Sequence, residues 1–172
     1  VVRIGEQCWM GANLRTTHYN EGSSIPNVTG NNDWRQLNTG AWCHYVNSVV
    51  DNDSHGKLYN WYAAMDVRGV CPLGWHVPTD AEWKQLESAL GMSAVELDAI
   101  GIRGEAEGVG GMMKATVSWN PPNAGATNQG GFSGLASGTR DGFSEGSFFN
   151  AGSHGYWWTR SDYGEFNYAW YR

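Results

Sequence analysis

Residues 71–83, with the sequence CPLGWHVPTDAEW, constrain the fold of this chain more than any other stretch. Thr79 and Glu82 have the spacing of a capping box, in which each side chain accepts a hydrogen bond from the other residue's backbone N–H. Apolar side chains then recur at helical spacing for about three turns. The sequence therefore predicts a capped α-helix over residues 80–90.

A second, shorter helix is predicted directly after the first. Ser93 and Glu96 repeat the capping-box spacing, and Gly101 provides a stop. Elsewhere, short apolar and aromatic runs are bounded by glycine, proline and asparagine, which is typical of short strands and tight turns. Strands are predicted within residues 1–10, 41–46, 155–160 and 167–172, and a strand or short helix within residues 58–64.

The composition is unusually rich in glycine and tryptophan, with 24 and 10 copies among 172 residues. This length favours one domain over residues 1–172, with an aromatic core and a loop-rich surface. The resulting fold class is α+β, with two short helices, short antiparallel strands and long structured glycine-rich loops. The net charge of -6 argues against nucleic acid and anionic membranes as partners. No apolar run approaches the roughly 18 residues of a membrane-spanning helix, so membrane insertion is not expected.

The chain has three cysteines, Cys8, Cys43 and Cys71, and none lies in a CxxC metal-binding pair. Two interpretations remain open from the residues alone. All three can be buried thiols. Alternatively, two of them form a disulfide, as in secreted proteins, and the third pairs with a cysteine outside this sequence.

One acidic loop is the best candidate for a metal site. Asp51 and Asp53 precede Gly56, and alternating oxygen ligands before a glycine resemble the start of a calcium loop. The twelfth position of such a loop would be Tyr62, where an EF-hand needs a glutamate, so an EF-hand is excluded. Calcium is thus the candidate cofactor, and a solvated acidic loop is the alternative.

Catalytic chemistry is not expected from this sequence. Its five histidines show no HExxH or similar metal-binding spacing. A general base or metal centre needs clustered and oriented imidazoles, and the chain offers no such cluster. We therefore predict a protein that is not an enzyme.

The last 20 residues combine aromatic rings with polar side chains. Aromatic faces can pack against the apolar side of a sugar ring, while amide, carboxylate and guanidinium groups bind its hydroxyls. The alternative is that most of these tryptophans belong to the core. The predicted ligand-binding residues are Trp157, Trp158, Arg160, Asp162, Tyr163, Asn167 and Trp170.

Several ordered blocks resemble the Fibrobacter succinogenes major paralogous domain family. They are residues 4–14 (IGEQCWMGANL), 58–63 (LYNWYA), 71–83, 125–132 (GATNQGGF) and 168–171 (YAWY). The resemblance implies a C-type-lectin-like fold in a secreted or cell-surface protein of Bacteroidetes, Fibrobacteres and their relatives. The segment PTDAEW, residues 78–83, is also similar to a helix start in the formylglycine-generating enzyme family, although the late reactive cysteines of that family have no match here.

The family pattern continues past the YAWY block into a final strand that contains a cysteine. We therefore expect residues 1–172 to lack that final C-terminal strand. The resemblance implies that Cys71 pairs with the cysteine of that strand and that Cys8 and Cys43 pair with each other.

These observations predict an extracellular or cell-surface domain for non-catalytic recognition or adhesion, with a glycan or a surface protein as ligand. Self-assembly as a structural subunit of a surface assembly or filament is the alternative. An enzyme of the formylglycine-generating type is the third, less favoured hypothesis.

Overall fold

The fold is built from short helices and strands joined by long loops. The computed structural model describes residues 1–49, 55–143, 145–162 and 169–172. Its α-helices are α1 (Asn31–Arg35), α2 (Trp61–Met65), α3 (Asp80–Ala89), α4 (Ala94–Leu97) and α5 (Val109–Met113), and a 3-10 helix covers Tyr45–Asn47. Its strands are β1 (Val2–Ile4), β2 (Gln7–Trp9), β3 (Trp42–Cys43), β4 (Leu58–Tyr59), β5 (Ser137–Arg140), β6 (Phe148–Ala151), β7 (Trp158–Asp162) and β8 (Ala169–Tyr171).

Consecutive strands pair into antiparallel two-stranded sheets: β1 with β2, β3 with β4, β5 with β6, and β7 with β8. This mixture of helices and small sheets confirms the α+β class. Within the described residues, no helix is long and apolar enough to cross a membrane.

The predicted helix over residues 80–90 is confirmed as α3, but the expected number of two helices is wrong. The described part of the chain contains five α-helices. The additional helices α1, α2 and α5 have five residues each. Residues 58–64, predicted as a strand or short helix, contain β4 and most of α2. The sequences NNDWR and VGGMM of α1 and α5 are too short to show a helical period, so no pattern marked these two helices in the sequence.

The hairpin β1–β2 and helix α3 belong to a first compact unit, formed by Val1–Asn13 and Asp80–Leu135. Three aromatic rings make its centre. The Trp9 and Trp83 ring centroids lie 4.8 Å apart, and those of Trp83 and Phe132 lie 5.6 Å apart. Trp83 is only 1% exposed, so it lies in the core of this unit.

The second predicted capping box is wrong in its chemistry, although α4 begins after Ser93 as expected. The Ser93 side chain makes no capping hydrogen bond. Instead, the Ser93 N–H donates to Glu107 Oε1 at 3.2 Å, and the carboxylate of Glu96 accepts from the Gly104 N–H. Glu107 of the following loop therefore accepts the Ser93 N–H hydrogen bond that Glu96 would accept in a local capping box.

A second compact unit consists of Leu14–Thr79 and Ala136–Arg172. One apolar cluster in it is centred on Trp34, Ala41 and Cys43. Another contains Tyr19, Ile25, Val70 and Cys71, with Trp75 packed against it.

Asn60 connects β4 to α2 in this second unit. Its Oδ1 accepts hydrogen bonds from the Ala63 N–H at 3.0 Å and from the Ala41 N–H at 2.9 Å. Its Nδ2 donates to the Thr39 carbonyl at 2.8 Å. One side chain thus caps the helix and holds the neighbouring segment against it.

Arg140 on β5 is only 7% exposed, and its side chain forms hydrogen bonds to several segments of the second unit. Its guanidinium donates to the carbonyl oxygens of Gly146, Val28 and Thr29 at 2.7–2.9 Å, and to Asn31 Oδ1 at 3.0 Å. These bonds satisfy a buried charge and join the β5–β6 hairpin to a loop more than 100 residues earlier.

Aromatic rings complete the environment of Arg140. Its guanidinium carbon lies 4.6 Å from the Trp34 ring centroid and 4.7 Å from that of Phe148. Such cation–π contacts strengthen when water is excluded.

The expected disulfide between Cys8 and Cys43 is not present. All three cysteines are free thiols, with Cys8 exposed and Cys43 and Cys71 buried. Cys43 has no exposed surface, because Trp34 and Ala41 pack around it. Burial raises the pKa of the Cys43 thiol to about 11, an effect that Arg140 partly opposes.

Replacing Arg140 by methionine tests the importance of this buried guanidinium. Arg140→Met removes the guanidinium donors to the half-buried Val28 carbonyl and the buried Gly146 carbonyl, and we expect the free energy of unfolding to fall by about 3 kcal/mol. Arg140→Lys should recover only part of this loss, because an ammonium group cannot reproduce the planar fork. Urea denaturation measures both effects. The exposed Arg35 provides the control, since Arg35→Met should change stability by less than about 0.5 kcal/mol.

Candidate functional site

The β5–β6 hairpin positions the beginning of the chain's last segment. The Gly138 N–H donates to the His154 carbonyl at 2.9 Å, just after the hairpin ends. Gly138 has a φ of +67°, and a Cβ there would lie 2.5 Å from the Phe149 carbonyl oxygen. Only glycine therefore allows this close approach of the two strands.

Three aromatic rings form a row after the hairpin. His154 and Tyr156 have ring planes only 16° apart with centroids separated by 6.0 Å, and Tyr156 lies 5.6 Å from Tyr171. Asn150 Nδ2 donates to the Tyr156 hydroxyl at 2.9 Å. We call these four side chains, His154, Tyr156, Tyr171 and Asn150, the tail aromatic face.

The tail aromatic face is accessible to solvent. Tyr171 is 56% exposed, His154 and Asn150 are exposed, and Tyr156 is half-buried. It therefore presents flat apolar rings beside amide and hydroxyl groups. This combination can bind a ligand that has both an apolar side and hydroxyl groups.

The two adjacent tryptophans hold this segment in place. Trp158 is half-buried, and its Nε1 donates to the Tyr59 carbonyl at 2.8 Å. The backbone of Trp157 exchanges two hydrogen bonds with Arg172, at 2.7 and 2.9 Å. In this structure both residues position the strands that carry the tail aromatic face.

Arg160 lies in a different place, at the edge of a cavity of about 120 Å³. Its backbone N–H donates to the Pro78 carbonyl at 2.7 Å, and its side chain is exposed. The buried residues Ala64, Val70 and Cys71 form the apolar floor, and Asp66 and His76 share the lining with Arg160. We call this feature the Arg160 cavity.

Asp66 in the Arg160 cavity is paired with Arg68. The Arg68 guanidinium donates to both carboxylate oxygens, at 2.8 and 2.7 Å, and lies 3.9 Å from the Tyr19 ring centroid. Hydrogen bonding to Arg68 lowers the pKa of Asp66 to about 2. The carboxylate is therefore charged at neutral pH, and Arg68 balances that charge.

Cys71 in the cavity floor is a protonated thiol at neutral pH. Burial raises its pKa to about 11. A thiolate is the reactive form of cysteine, so this residue has the character of a structural thiol. Within the ranges that the structure describes, no group of three histidine, cysteine, aspartate or glutamate side chains could hold a metal ion.

Several predicted site residues cannot be placed. Asp51, Asp53, Tyr163 and Asn167 lie outside the described residues, so the calcium site stays a prediction. Asp162 is placed by its backbone pairing with Ala169. Trp170 lies on β8 and is half-buried.

Among the predicted residues that the structure describes, Trp157 and Trp158 are anchors and Arg160 lines a cavity. The predicted set omitted all four residues of the tail aromatic face. The alternation of His154 with Tyr156 was a usable signal, because residues two apart on extended backbone share a face. The contacts of the Arg160 cavity had no sequence signal, since they join residues 64–77 to a strand more than 80 residues later.

Comparison with known proteins gives one result. A family model described as the Fibrobacter succinogenes major domain matches residues 2–171. No curated protein and no solved structure matches the chain.

The pairing of Asp66 with Arg68 predicts a pH dependence of stability. The folded protein has a lower Asp66 pKa than the ordinary 3.8, so it binds fewer protons than the unfolded chain in this range. The ionised Asp66 contributes its full share to the free energy of unfolding above about pH 4, and this share is lost as the pH falls toward 2. In urea denaturation at several acidic pH values, the free energy of unfolding should therefore decline less for Asp66→Asn than for the unmodified protein. The exposed Asp33 serves as control, and an equal effect of Asp33→Asn would contradict this assignment.

Proposed function

We infer that this chain, which belongs to the Fibrobacter succinogenes major domain family, is a non-catalytic recognition domain that binds a glycan. We place it outside the cell or on the cell surface, where it would mediate adhesion. The observation that carries this proposal is the tail aromatic face, which places three neighbouring aromatic rings beside an amide group.

The chemistry of a sugar matches this face in two ways. A pyranose ring has C–H groups on one side, which can pack on the rings of Tyr156 and Tyr171. Its hydroxyl groups can bond with the Asn150 amide and the tyrosine hydroxyls. Aromatic side chains suit this task because they bury a large area at little cost in conformational entropy.

We further propose that the α+β architecture is C-type-lectin-like. The late chain supports this assignment, because the β5–β6 and β7–β8 hairpins present loops and strands on which a ligand surface can be built. The anchoring of Trp158 to Tyr59 joins these late strands to the earlier part of the same unit. A scaffold of this kind holds recognition residues without a large enclosed pocket.

A glycan array followed by calorimetry tests the proposal. We expect specific glycan binding, and we expect Tyr156→Ala and Tyr171→Ala each to weaken it about tenfold, which is about 1.4 kcal/mol. The loss of a ring removes its stacking contact with the sugar.

Tyr62 is the matched control for these variants. It is an exposed tyrosine of the same unit, and its ring contacts Trp61 outside the tail aromatic face. Tyr62→Ala should keep full affinity. Absence of any array signal, or equal losses from all three variants, would contradict a glycan site at the tail aromatic face.

A structural subunit is the second candidate function, and a surface of the first unit favours it. Val95, Ile100 and Ile102 are 86%, 73% and 92% exposed within eight residues of sequence. A contiguous patch of exposed apolar side chains marks a protein interface, and we propose that these three residues belong to one patch.

Sedimentation analysis tests this second candidate. If the chain assembles through that surface, dimers or larger species should form with rising concentration. Replacement of Ile100 and Ile102 by serine should then shift the protein to monomers, while serine at the exposed Val67 should not. A monomer at all concentrations would eliminate the structural hypothesis.

A further inference from the structure

We propose that the Arg160 cavity binds a carboxylate carrying one small branched apolar group. The ligand can be a free organic acid or the C-terminal residue of a peptide. This site is distinct from the tail aromatic face, because none of the four residues of that face contributes to the cavity lining. The inference therefore does not depend on glycan binding.

The floor of the cavity determines the apolar part of the ligand. Ala64, Val70 and Cys71 are each at most 8% exposed, and Trp75 and Val77 contribute further apolar surface. The volume of about 120 Å³ is somewhat smaller than the roughly 150 Å³ of an engineered apolar cavity that binds benzene. A small branched group, such as the isobutyl group of a leucine side chain, suits a cavity of this size.

The charges at the cavity determine the polar part. The Arg160 guanidinium makes no hydrogen bond or ion pair with any described residue. Asp66 carries a negative charge, but the bidentate contact with Arg68 balances it. Among the described residues, one positive charge thus remains unpaired at the edge of an apolar floor.

A single carboxylate complements this arrangement. The planar guanidinium of Arg160 can bind both carboxylate oxygens at once. A phosphate group would bring more negative charge close to Asp66, and the described lining supplies no second arginine or lysine to offset it. The cavity geometry therefore favours a monoanion with a short apolar branch.

Calorimetric titration with N-acetyl-leucine tests the proposal directly. We expect binding, and at least tenfold weaker binding of N-acetyl-leucinamide, which has the same apolar group without the charge. Acetate, which has the charge without the branch, should also bind at least tenfold more weakly. Peptides ending in leucine, with a free or an amidated C-terminus, distinguish the two sources of the ligand. If the peptide with the free C-terminus binds more tightly than N-acetyl-leucine, the ligand is a chain terminus. If it binds equally or more weakly, the ligand is a free acid.

Arg160→Gln should reduce the affinity for N-acetyl-leucine at least tenfold. Arg35→Gln is the matched control, because Arg35 is an exposed arginine of the same unit outside the cavity lining. Both side chains are exposed, so both variants should keep the melting temperature of the unmodified protein. No binding of N-acetyl-leucine, equal binding of its amide, or undiminished binding by Arg160→Gln would overturn the proposal.

Discussion

The buried guanidinium of Arg140 is the interaction on which the second unit depends. It supplies donors to the carbonyls of Val28, Thr29 and Gly146, which lie in segments with no regular structure of their own. Because Arg140 lies on β5, the same contacts fix the hairpin whose backbone binds the segment at His154. The candidate recognition surface is thus supported by a charge whose partners are almost entirely backbone oxygens, rather than by a large sheet or a long helix.

Local signals explain which parts of the fold the sequence could predict. Helix α3 was predictable because its apolar positions repeat over ten residues, and hairpin β1–β2 because Gly5 marks its turn. Helix α5 was not, since two of its five residues are glycines, each costing about 1 kcal/mol in a helix. Its carbonyls at Gly111 and Met112 instead accept hydrogen bonds from the loop near Gly130. Arg140 was equally hidden, because its partners Val28 and Thr29 are distant in sequence.

The sequence predicted where along the chain the candidate site lies. It did not predict which aromatic residues face solvent and which hold the strands in place. Aromatic and polar residues near the C-terminal end indicated a recognition surface, yet composition cannot show which rings face solvent. Trp158 donates its indole N–H to Tyr59 and so acts as an anchor, whereas Tyr171 exposes its ring. Arg160 lines a separate cavity that is formed mainly by residues 64–77. The residue types that bind ligands and those that build a core are the same here, and only their tertiary contacts distinguish them.

Glycan binding by the tail aromatic face is tested most directly by an NMR titration of the isotope-labelled protein with the oligosaccharide that binds most tightly on an array. If the sugar binds there, the largest chemical-shift changes will occur at Asn150, His154, Tyr156 and Tyr171, with saturation transfer to the ring protons of the sugar. Changes centred instead on residues 95–102 of the first unit, or no saturable change at all, would contradict glycan binding at this face.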